Sequence, residues 1–183
     1  MRVITGTAKG RKLKAPKGKE TRPTSDRTKE SLFNIIGPRV INAKFLDLYA
    51  GTGAIGIEAL SRGADLSVFV EKNPQAVKNI KSNLELTGLA DRAEVISQEA
   101  EKAVDMLAAW ERTFDIIFVD PPYLKGLVNE SLLKINKSRL LASGGVVITE
   151  SSKLDVLPVQ AGLLKMVRHE KYGDTILSFY QEM

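Results

Sequence analysis

Short apolar runs alternate with amphipathic stretches through most of the chain. The apolar runs are as long as strands and fall at residues 45–49, 66–71, 93–97, 114–120 and 145–150. Between them apolar positions recur at helical spacing, which predicts helices at about residues 54–62, 74–87, 100–111 and 129–141. The run at 114–120 is nearly all apolar, as in a strand covered on both faces. Strands that alternate with helices predict crossover connections and a parallel sheet, so the fold class is α/β.

The two ends of the chain have different patterns. Strand-like runs at residues 164–170 and 175–181 flank a turn that contains Gly173, which predicts an antiparallel hairpin. Near the start, Val3, Ile4 and Leu13 are apolar and lie among turn-forming glycines, so we expect a small β-hairpin. A helix should follow, capped at residues 24–26 and stopped at 37–38. We therefore predict a basic arm at residues 1–22 and a single α/β domain at residues 23–183.

The composition excludes several kinds of chemistry. The chain has 183 residues, no cysteine and one histidine, which excludes a disulfide framework, a Cys/His zinc site and a cysteine nucleophile. We expect no metal, so the chemistry must depend on carboxylates, backbone groups and a cofactor. The first residues lack the apolar segment of a signal peptide, and no apolar run is long enough to cross a bilayer. We accordingly expect a cytoplasmic protein with no membrane partner.

Basic residues are concentrated at the start of the chain. Residues 1–30 hold ten Lys or Arg against three Asp or Glu, whereas the other residues hold 17 against 19. A basic arm on a nearly neutral body is typical of a protein that binds a phosphate backbone. A solvated tail is the alternative interpretation. The candidate RNA-binding residues are Lys9, Arg11, Lys12, Lys14, Arg22 and Arg27.

A glycine motif marks a candidate cofactor site. Residues 51–56 have the pattern Gly-x-Gly-x-x-Gly after a predicted strand and before a predicted helix, and Glu71 ends the next strand. Glycines let the backbone approach a ligand, and a helix N-terminus offers N–H donors. Glu71 is placed to accept hydrogen bonds from two ribose hydroxyls. This pattern also describes a dinucleotide site, so a nicotinamide cofactor stays open as an alternative.

Three features favour S-adenosylmethionine over a nicotinamide cofactor. Asp47 places a carboxylate beneath the glycine motif, which suits a cationic ammonium and not a pyrophosphate. Polar residues after the third strand can meet an adenine amine, and the third feature is the tetrapeptide described next. The candidate cofactor-binding residues are Asp47, Tyr49, Gly51, Thr52, Gly53, Gly56, Glu71, Lys72, Gln98, Glu99 and Ala100.

The fourth predicted strand ends in the tetrapeptide Asp120, Pro121, Pro122 and Tyr123. Two prolines remove two N–H donors, so the Asp120 carboxylate and a proline carbonyl present acceptors alone. Such a surface suits an NH2 group, which has two protons to donate. The alternative is a strand that ends in an ordinary Pro-Pro turn. We predict that these four residues are catalytic and hold the methyl-accepting amine.

These motifs resemble those of class I S-adenosylmethionine-dependent methyltransferases that act on amines. With the stretch Arg-Pro-Thr-Ser-Asp-Arg-Thr-Lys-Glu-Ser-Leu-Phe-Asn at residues 22–34, the chain most resembles the RsmD family, bacterial 16S ribosomal RNA guanine-N2 methyltransferases. The resemblance implies a Rossmann-like sheet of seven strands, mostly parallel, with helices on both faces and a C-terminal antiparallel hairpin. It implies that Asp47, Gly51 and Gly53 meet the methionyl group, Glu71 the ribose, Glu99 the adenine, and residues 120–123 the base.

The resemblance also implies a partner, 16S ribosomal RNA, and both the free RNA and an assembled 30S subunit stay open as the form that is recognised. We expect the enzyme to be a monomer. Other functions stay open from the residues alone. They are methylation of a DNA adenine or a protein glutamine, a nicotinamide-dependent oxidoreductase, and a non-catalytic RNA-binding protein of the same fold.

Overall fold

The structure, a computed structural model, describes residues 1–14 and 26–183. They form two units, Met1–Gln98 and Glu99–Met183. The predicted boundary at residue 22 and the predicted caps Thr24 and Ser25 lie outside the described residues. Within the described residues, no helix is both long and apolar enough to span a membrane.

The first unit contains the predicted alternation of strands and helices. Its three strands are parallel and adjacent in the order β3-β2-β1. The elements are α1 (Asp26–Ile36), β1 (Lys44–Asp47), α2 (Ala54–Ser61), β2 (Leu66–Glu71), α3 (Pro74–Thr87) and β3 (Ala93–Ser97), with 3-10 turns at Gly37–Val40 and Ala90–Arg92.

Helix α3 shows how local sequence sets the element boundaries. The Asn73 side chain accepts hydrogen bonds from the amides of Gln75 and Ala76, at 2.8 and 3.2 Å. Pro74 opens the helix where its missing N–H costs nothing, and Gly88 closes it with φ +70°. Both boundaries are as predicted.

Strand β1 ends at Asp47, two residues before the predicted end. The chain turns here because the Ala50 amide donates to the Val70 carbonyl at 2.9 Å and the Gly53 amide donates to the Ala50 carbonyl at 2.7 Å. Leu48 and Ala50 are buried in this turn, Tyr49 is half-buried, and none of the three extends the strand. Asp47 is therefore placed at the carboxyl end of a parallel strand.

The second unit begins with α/β order and ends in antiparallel strands. Its strand order is β4-β5-β8-β7-β6; the β4–β5 pair is parallel and the other three pairs are antiparallel. The elements are α4 (Ala100–Ala109), β4 (Phe114–Val119), α5 (Leu127–Lys137), β5 (Leu141–Ser152), β6 (Gln160–Ala161), β7 (Leu164–Tyr172) and β8 (Thr175–Glu182). The predicted C-terminal hairpin is confirmed.

Two predictions on this unit were wrong in detail. Helix α5 ends at Lys137 instead of Leu141, because Arg139 takes a left-handed conformation with φ +50° and Leu141 starts β5 opposite Phe114. The described residues contain eight strands where seven were predicted. The additional strand, β6, has two residues and exists through its pairing with β7, so no periodic pattern could reveal it.

Residues 1–14, here called the N-terminal segment, form a small antiparallel turn. The Val3 amide donates to the Arg11 carbonyl at 3.0 Å, and the Gly10 amide donates to the Val3 carbonyl at 2.9 Å. Val3, Ala8 and Leu13 are buried. The predicted hairpin is present in this part, with its apolar side packed and its basic side chains exposed.

Candidate functional site

The loop between β1 and α2 has the geometry of a ligand cradle. Gly51 and Gly53 have φ of +54° and +75°, a left-handed backbone conformation that residues with a side chain rarely adopt. A Cβ built on Gly51 would meet no atom within 4 Å, so this part of the loop borders open space. A Cβ on Gly53 would lie 3.3 Å from the Ile80 side chain, which makes this second glycine a packing requirement as well.

Gly56, the third glycine of the motif, allows helix α2 to pack closely on β2. A Cβ there would lie 2.3 Å from the Phe69 ring and 2.7 Å from the Ser67 hydroxyl oxygen. The Gly56 amide donates to Asp47 Oδ2 at 3.1 Å. The structure thus gives Gly56 a supporting role beneath the loop, and its direct contact with a cofactor stays a prediction.

Asp47 is a buried carboxyl group directly below this loop, with 2% of its surface exposed. Burial raises the pKa of Asp47 to about 7, the hydrogen bond from Gly56 opposes this rise, and the negative charge of Glu71 adds to it. A cation placed nearby would favour the ionised form. The buried carboxyl group of Asp47 therefore fits a ligand with a cationic amine and disfavours a pyrophosphate.

Glu71 joins the glycine loop to the start of α3. Its Oε2 accepts from the Gly51 amide at 2.9 Å, and its Oε1 accepts from the Asn73 amide at 2.8 Å. Each carboxylate oxygen has a second lone pair, so Glu71 can still accept from the two hydroxyls of a ribose. The sequence predicted the ribose contact and missed the role of Glu71 in holding the loop.

The other predicted cofactor residues lie in different environments. Tyr49 and Thr52 are half-buried in the glycine loop, and Lys72 is exposed after β2. The Gln98 amide donates to the Glu71 carbonyl at 3.2 Å, which brings the end of β3 beside the end of β2. Glu99 and Ala100 stand at the start of α4 in the second unit, where the exposed Glu99 carboxylate is 3.3 Å from Lys102 Nζ. All these assignments stay predictions.

The predicted catalytic tetrapeptide directly follows β4 in the second unit. Pro121 is buried, Pro122 is exposed, and the Tyr123 hydroxyl donates to Glu150 Oε1 at 3.0 Å. Burial raises the pKa of Tyr123, and the negative charges of Glu150 and Asp120 raise it further, so the phenol stays protonated. Glu150, which is 3% exposed near the end of β5, is a positioning residue that the sequence analysis missed.

Asp155 holds the loop that continues from the tetrapeptide. Its Oδ1 accepts from the Leu124 amide and its Oδ2 from the Ser152 amide, both at 2.9 Å. Leu124 has a φ of +61°, an uncommon value for a residue with a side chain. The sequence analysis missed Asp155 as well, because a carboxylate in a surface turn gives no sign that it binds a backbone amide 31 residues away.

A buried ionic cluster attaches the N-terminal segment to α1 and α2. Glu58, with no exposed surface, accepts from the amides of Ile4 and Thr5 at 2.8 and 3.0 Å. Lys29 Nζ lies 3.4 Å from Glu58 Oε2, and Arg62 Nε lies 2.8 Å from Oε1. Burial lowers the pKa of Lys29 and the Glu58 charge opposes this. Lys29 is one of the ten basic residues among residues 1–30, but it is internal and adds nothing to a docking surface.

The predicted RNA-binding residues that the structure describes are all exposed. They are Lys9, Arg11, Lys12 and Lys14 in the N-terminal segment and Arg27 in α1; Arg22 lies outside the described residues. The N-terminal segment contains five Lys or Arg and no Asp or Glu. Lys14 Nζ donates to the Ser82 hydroxyl at 2.9 Å, which places its charge on the outer face of α3.

Comparison with known proteins covers the whole chain. A family model described as "conserved hypothetical protein 95" matches residues 1–181. The Bacillus subtilis protein "Putative rRNA methyltransferase YlbH" is 42% identical over 182 residues, which are 100% of this chain and 99% of that protein. "Ribosomal RNA small subunit methyltransferase D" of Escherichia coli K12 is 34% identical over 181 residues, 99% of this chain and 89% of the relative.

A solved structure shows the same fold. The structure of "Putative methyltransferase yhhF" from Escherichia coli superposes with a TM-score of 0.86 at 32% identity, covering 100% of this chain and 97% of that one. The predicted α/β methyltransferase fold, mostly parallel with a C-terminal antiparallel hairpin, is confirmed.

Proposed function

The chain belongs to the family of conserved hypothetical protein 95, which includes ribosomal RNA small subunit methyltransferase D, and from this membership we infer its function. We propose that it methylates the N2 amine of a guanine in 16S ribosomal RNA, with S-adenosylmethionine as the methyl donor. The resemblance to the RsmD family is thus confirmed. The observation that carries the proposal is the tetrapeptide Asp120–Tyr123 after β4, whose two prolines offer carbonyls and no N–H, in a chain whose glycine loop covers a buried carboxyl group.

The residues of the first unit fit S-adenosylmethionine. Asp47 and the open side of Gly51 would hold the methionyl end, and Glu71 the ribose. When bound, this cofactor supplies an electrophilic methyl group on a sulfonium. A nicotinamide cofactor is disfavoured because its pyrophosphate would lie against the buried carboxyl group of Asp47 beneath the glycine loop.

The tetrapeptide's task is to present the amine of the acceptor base. The lone pair of a guanine N2 is delocalised into the ring, so the amine is a poor nucleophile until it becomes pyramidal. The Asp120 carboxylate and a proline carbonyl would accept hydrogen bonds from the two N–H groups of the amine. These bonds would aim the lone pair at the methyl group. Positive charge then develops on the amine, so these acceptors stabilise the transition state more than the ground state. Asp120 is the proposed acceptor of the released proton.

Tyr123 would stack on the base after the base leaves its RNA neighbours. The hydrogen bond from its hydroxyl to Glu150 sets the direction of the ring, and burial keeps the phenol protonated so that this bond persists. The ring supplies the stacking surface, whereas the hydroxyl acts on its orientation.

The choice of RNA over DNA or protein rests on the N-terminal segment and on the relatives. The exposed cations of the N-terminal segment suit a phosphate backbone. The proposed partner is 16S ribosomal RNA within an assembled 30S subunit. A cytoplasmic location and a monomeric enzyme complete the proposal.

The test is methyl transfer from labelled S-adenosylmethionine to four acceptors: protein-free 16S ribosomal RNA, 30S subunits, a DNA duplex and a glutamine-containing peptide. Nuclease digestion and mass spectrometry should find N2-methylguanosine in an RNA arm. Asp120→Asn is the matched control, because it keeps the size of the side chain and replaces one acceptor by a donor. Label in DNA or peptide alone, or binding of NAD in place of S-adenosylmethionine, would overturn the proposal.

A further inference from the structure

Asn83 joins two parts of the first unit to which the proposed function gives different tasks. It lies on α3, is fully buried, and accepts through Oδ1 from the Lys14 amide at 2.7 Å. Its Nδ2 donates to the Lys14 carbonyl at 3.0 Å and to the Thr52 carbonyl at 3.1 Å. Both N–H groups of the side-chain amide are therefore in use.

The residues that Asn83 joins belong to the two candidate binding surfaces. Thr52 lies between the two left-handed glycines of the cofactor loop, and Lys14 ends the described part of the basic N-terminal segment. A second link runs through Met1, whose sulfur accepts from the Thr52 hydroxyl at 3.3 Å and whose carbonyl accepts from the Leu13 amide at 3.2 Å. Both ends of the segment thus converge on the same loop residue.

These bonds make the positions of the segment and the loop interdependent. Asn83 is shielded from water, so if either backbone partner moved away, a buried amide or carbonyl would lose its hydrogen bond. A shift of the Lys14 backbone is therefore transmitted to Asn83, and from there to the Thr52 carbonyl.

We propose that Asn83 is a positioning residue that couples RNA docking on the N-terminal segment to cofactor binding in the glycine loop. This inference rests on the proposed function. Phosphate contacts restrict the motion of the N-terminal segment through its exposed cations Lys9, Arg11, Lys12 and Lys14. Through its hydrogen bonds, Asn83 then also restricts the motion of Thr52. The glycine loop therefore loses less conformational freedom when the cofactor binds. RNA and cofactor accordingly strengthen each other's binding by the same factor.

The first experiment measures this factor by titrating S-adenosylhomocysteine into the full chain with and without 30S subunits, which carry the 16S ribosomal RNA in its proposed form. For the wild type, RNA should tighten cofactor binding by about 5-fold or more, with the reciprocal effect on RNA affinity. In Asn83→Leu, which has a similar volume and no amide, the factor should fall to near one.

Ser61→Ala is the matched control. The Ser61 hydroxyl donates to the Thr5 carbonyl at 2.6 Å and accepts from the Ala8 amide at 2.9 Å, so it too is buried and anchors the segment. Both of these bonds join Ser61 to the segment itself, so its removal should lower stability while leaving the coupling factor intact. A role for Asn83 in stability alone would make the two variants behave alike, which would overturn the inference.

A second measurement uses the wild-type chain and so does not depend on a variant that folds. Hydrogen exchange of the Lys14 amide should slow when S-adenosylhomocysteine is added without RNA, because a steadied Thr52 carbonyl steadies Asn83. Unchanged exchange at Lys14 beside slowed exchange in residues 50–53 would refute the coupling. Absence of both cofactor binding and methyl transfer would instead refute the proposed function, so the two failures are distinguishable.

Discussion

At the residue scale, Asp47 is a binding group kept in place at a cost to folding. Its pKa rises from the ordinary 3.8 to about 7 in the folded state because the carboxyl group is buried. The folded protein therefore holds this proton more tightly than the unfolded chain does. Linkage then requires the contribution of Asp47 to stability to fall as the pH rises from about 4 to about 7, and to stay low above that.

Asp47→Asn should therefore stabilise the chain without cofactor by about 2–4 kcal/mol at pH 8, and by less at pH 5.5. The amide oxygen of Asn can still accept from the Gly56 amide, so the loop keeps its support. Urea denaturation at both pH values measures the difference. Affinity for S-adenosylmethionine should fall at pH 8, because the carboxylate that faces the ammonium is gone. An equal gain in stability at both pH values would contradict the assigned titration.

Asp120 and Tyr123 should respond differently to conservative changes. Asp120→Asn should lower kcat by about 10²–10⁴-fold, because a donor replaces an acceptor that faces the amine, and should leave cofactor affinity within about twofold. Tyr123→Phe keeps the ring and loses the hydrogen bond to Glu150, so its loss in kcat should be near tenfold. Single-turnover methylation and cofactor titration separate the two effects. Near-normal turnover of Asp120→Asn would remove this residue from the mechanism.

At the scale of elements, α1, α2 and the N-terminal segment are held by one buried carboxylate. Glu58 receives two backbone amides and two cations, and Arg62 also stacks over the Phe33 ring at 4.8 Å. The segment is therefore part of the packed structure of the first unit. Its deletion would leave Glu58 without two of its hydrogen-bond donors, so truncation is a poor test of RNA binding.

Glu58→Gln should destabilise the chain by about 3–5 kcal/mol, because it leaves the buried ammonium of Lys29 without its counter-charge. Lys29→Met should cost less, since Arg62 and the two amides still compensate Glu58. The matched control is Arg168→Gln in the exposed pair Arg168–Glu170 of β7, where a change below about 0.5 kcal/mol is expected. Urea denaturation compares all three, and an equal effect at the buried and exposed pairs would contradict this account.

At the scale of the whole molecule, the charge distribution favours a polyanionic partner. The net charge is +5, and five cations with no anion fall in the first 14 residues. Because the backbone of this segment is fixed on α2 and α3, its exposed cations form a positioned surface on the first unit. Such a surface attracts RNA with a strength that depends on salt.

Substituting Lys9, Arg11 and Lys12 together by Gln should weaken RNA binding and lower its salt slope by roughly one unit for each phosphate that is no longer bound. The folded structure should persist, since these side chains are exposed and the backbone bonds of the segment remain. Filter binding at several salt concentrations measures the slope. The control for net charge replaces three exposed cations of the second unit by Gln, namely Lys102, Lys137 and Arg139. An equal loss in both triple variants would show that position on the surface is irrelevant.

The sequence by itself determined the features that depend on neighbours along the chain. Alternating apolar runs, the cap at Asn73 and the stop at Gly88 predicted the helices and strands because these signals act within a few residues. The glycine motif and the tetrapeptide after β4 could be recognised for the same reason, since each is a short segment whose backbone properties follow from Gly and Pro.

Only the tertiary structure decided which distant groups support those motifs. Asn83 meets Lys14 across 69 positions, Glu58 meets Ile4 across 54, and Glu150 meets Tyr123 across 27. Each of these side chains lies in an element whose periodicity is already explained by apolar burial, so the pattern carries no sign of its polar partner. Burial then makes the partners obligatory, because a polar group removed from water must be satisfied by whatever the fold brings next to it.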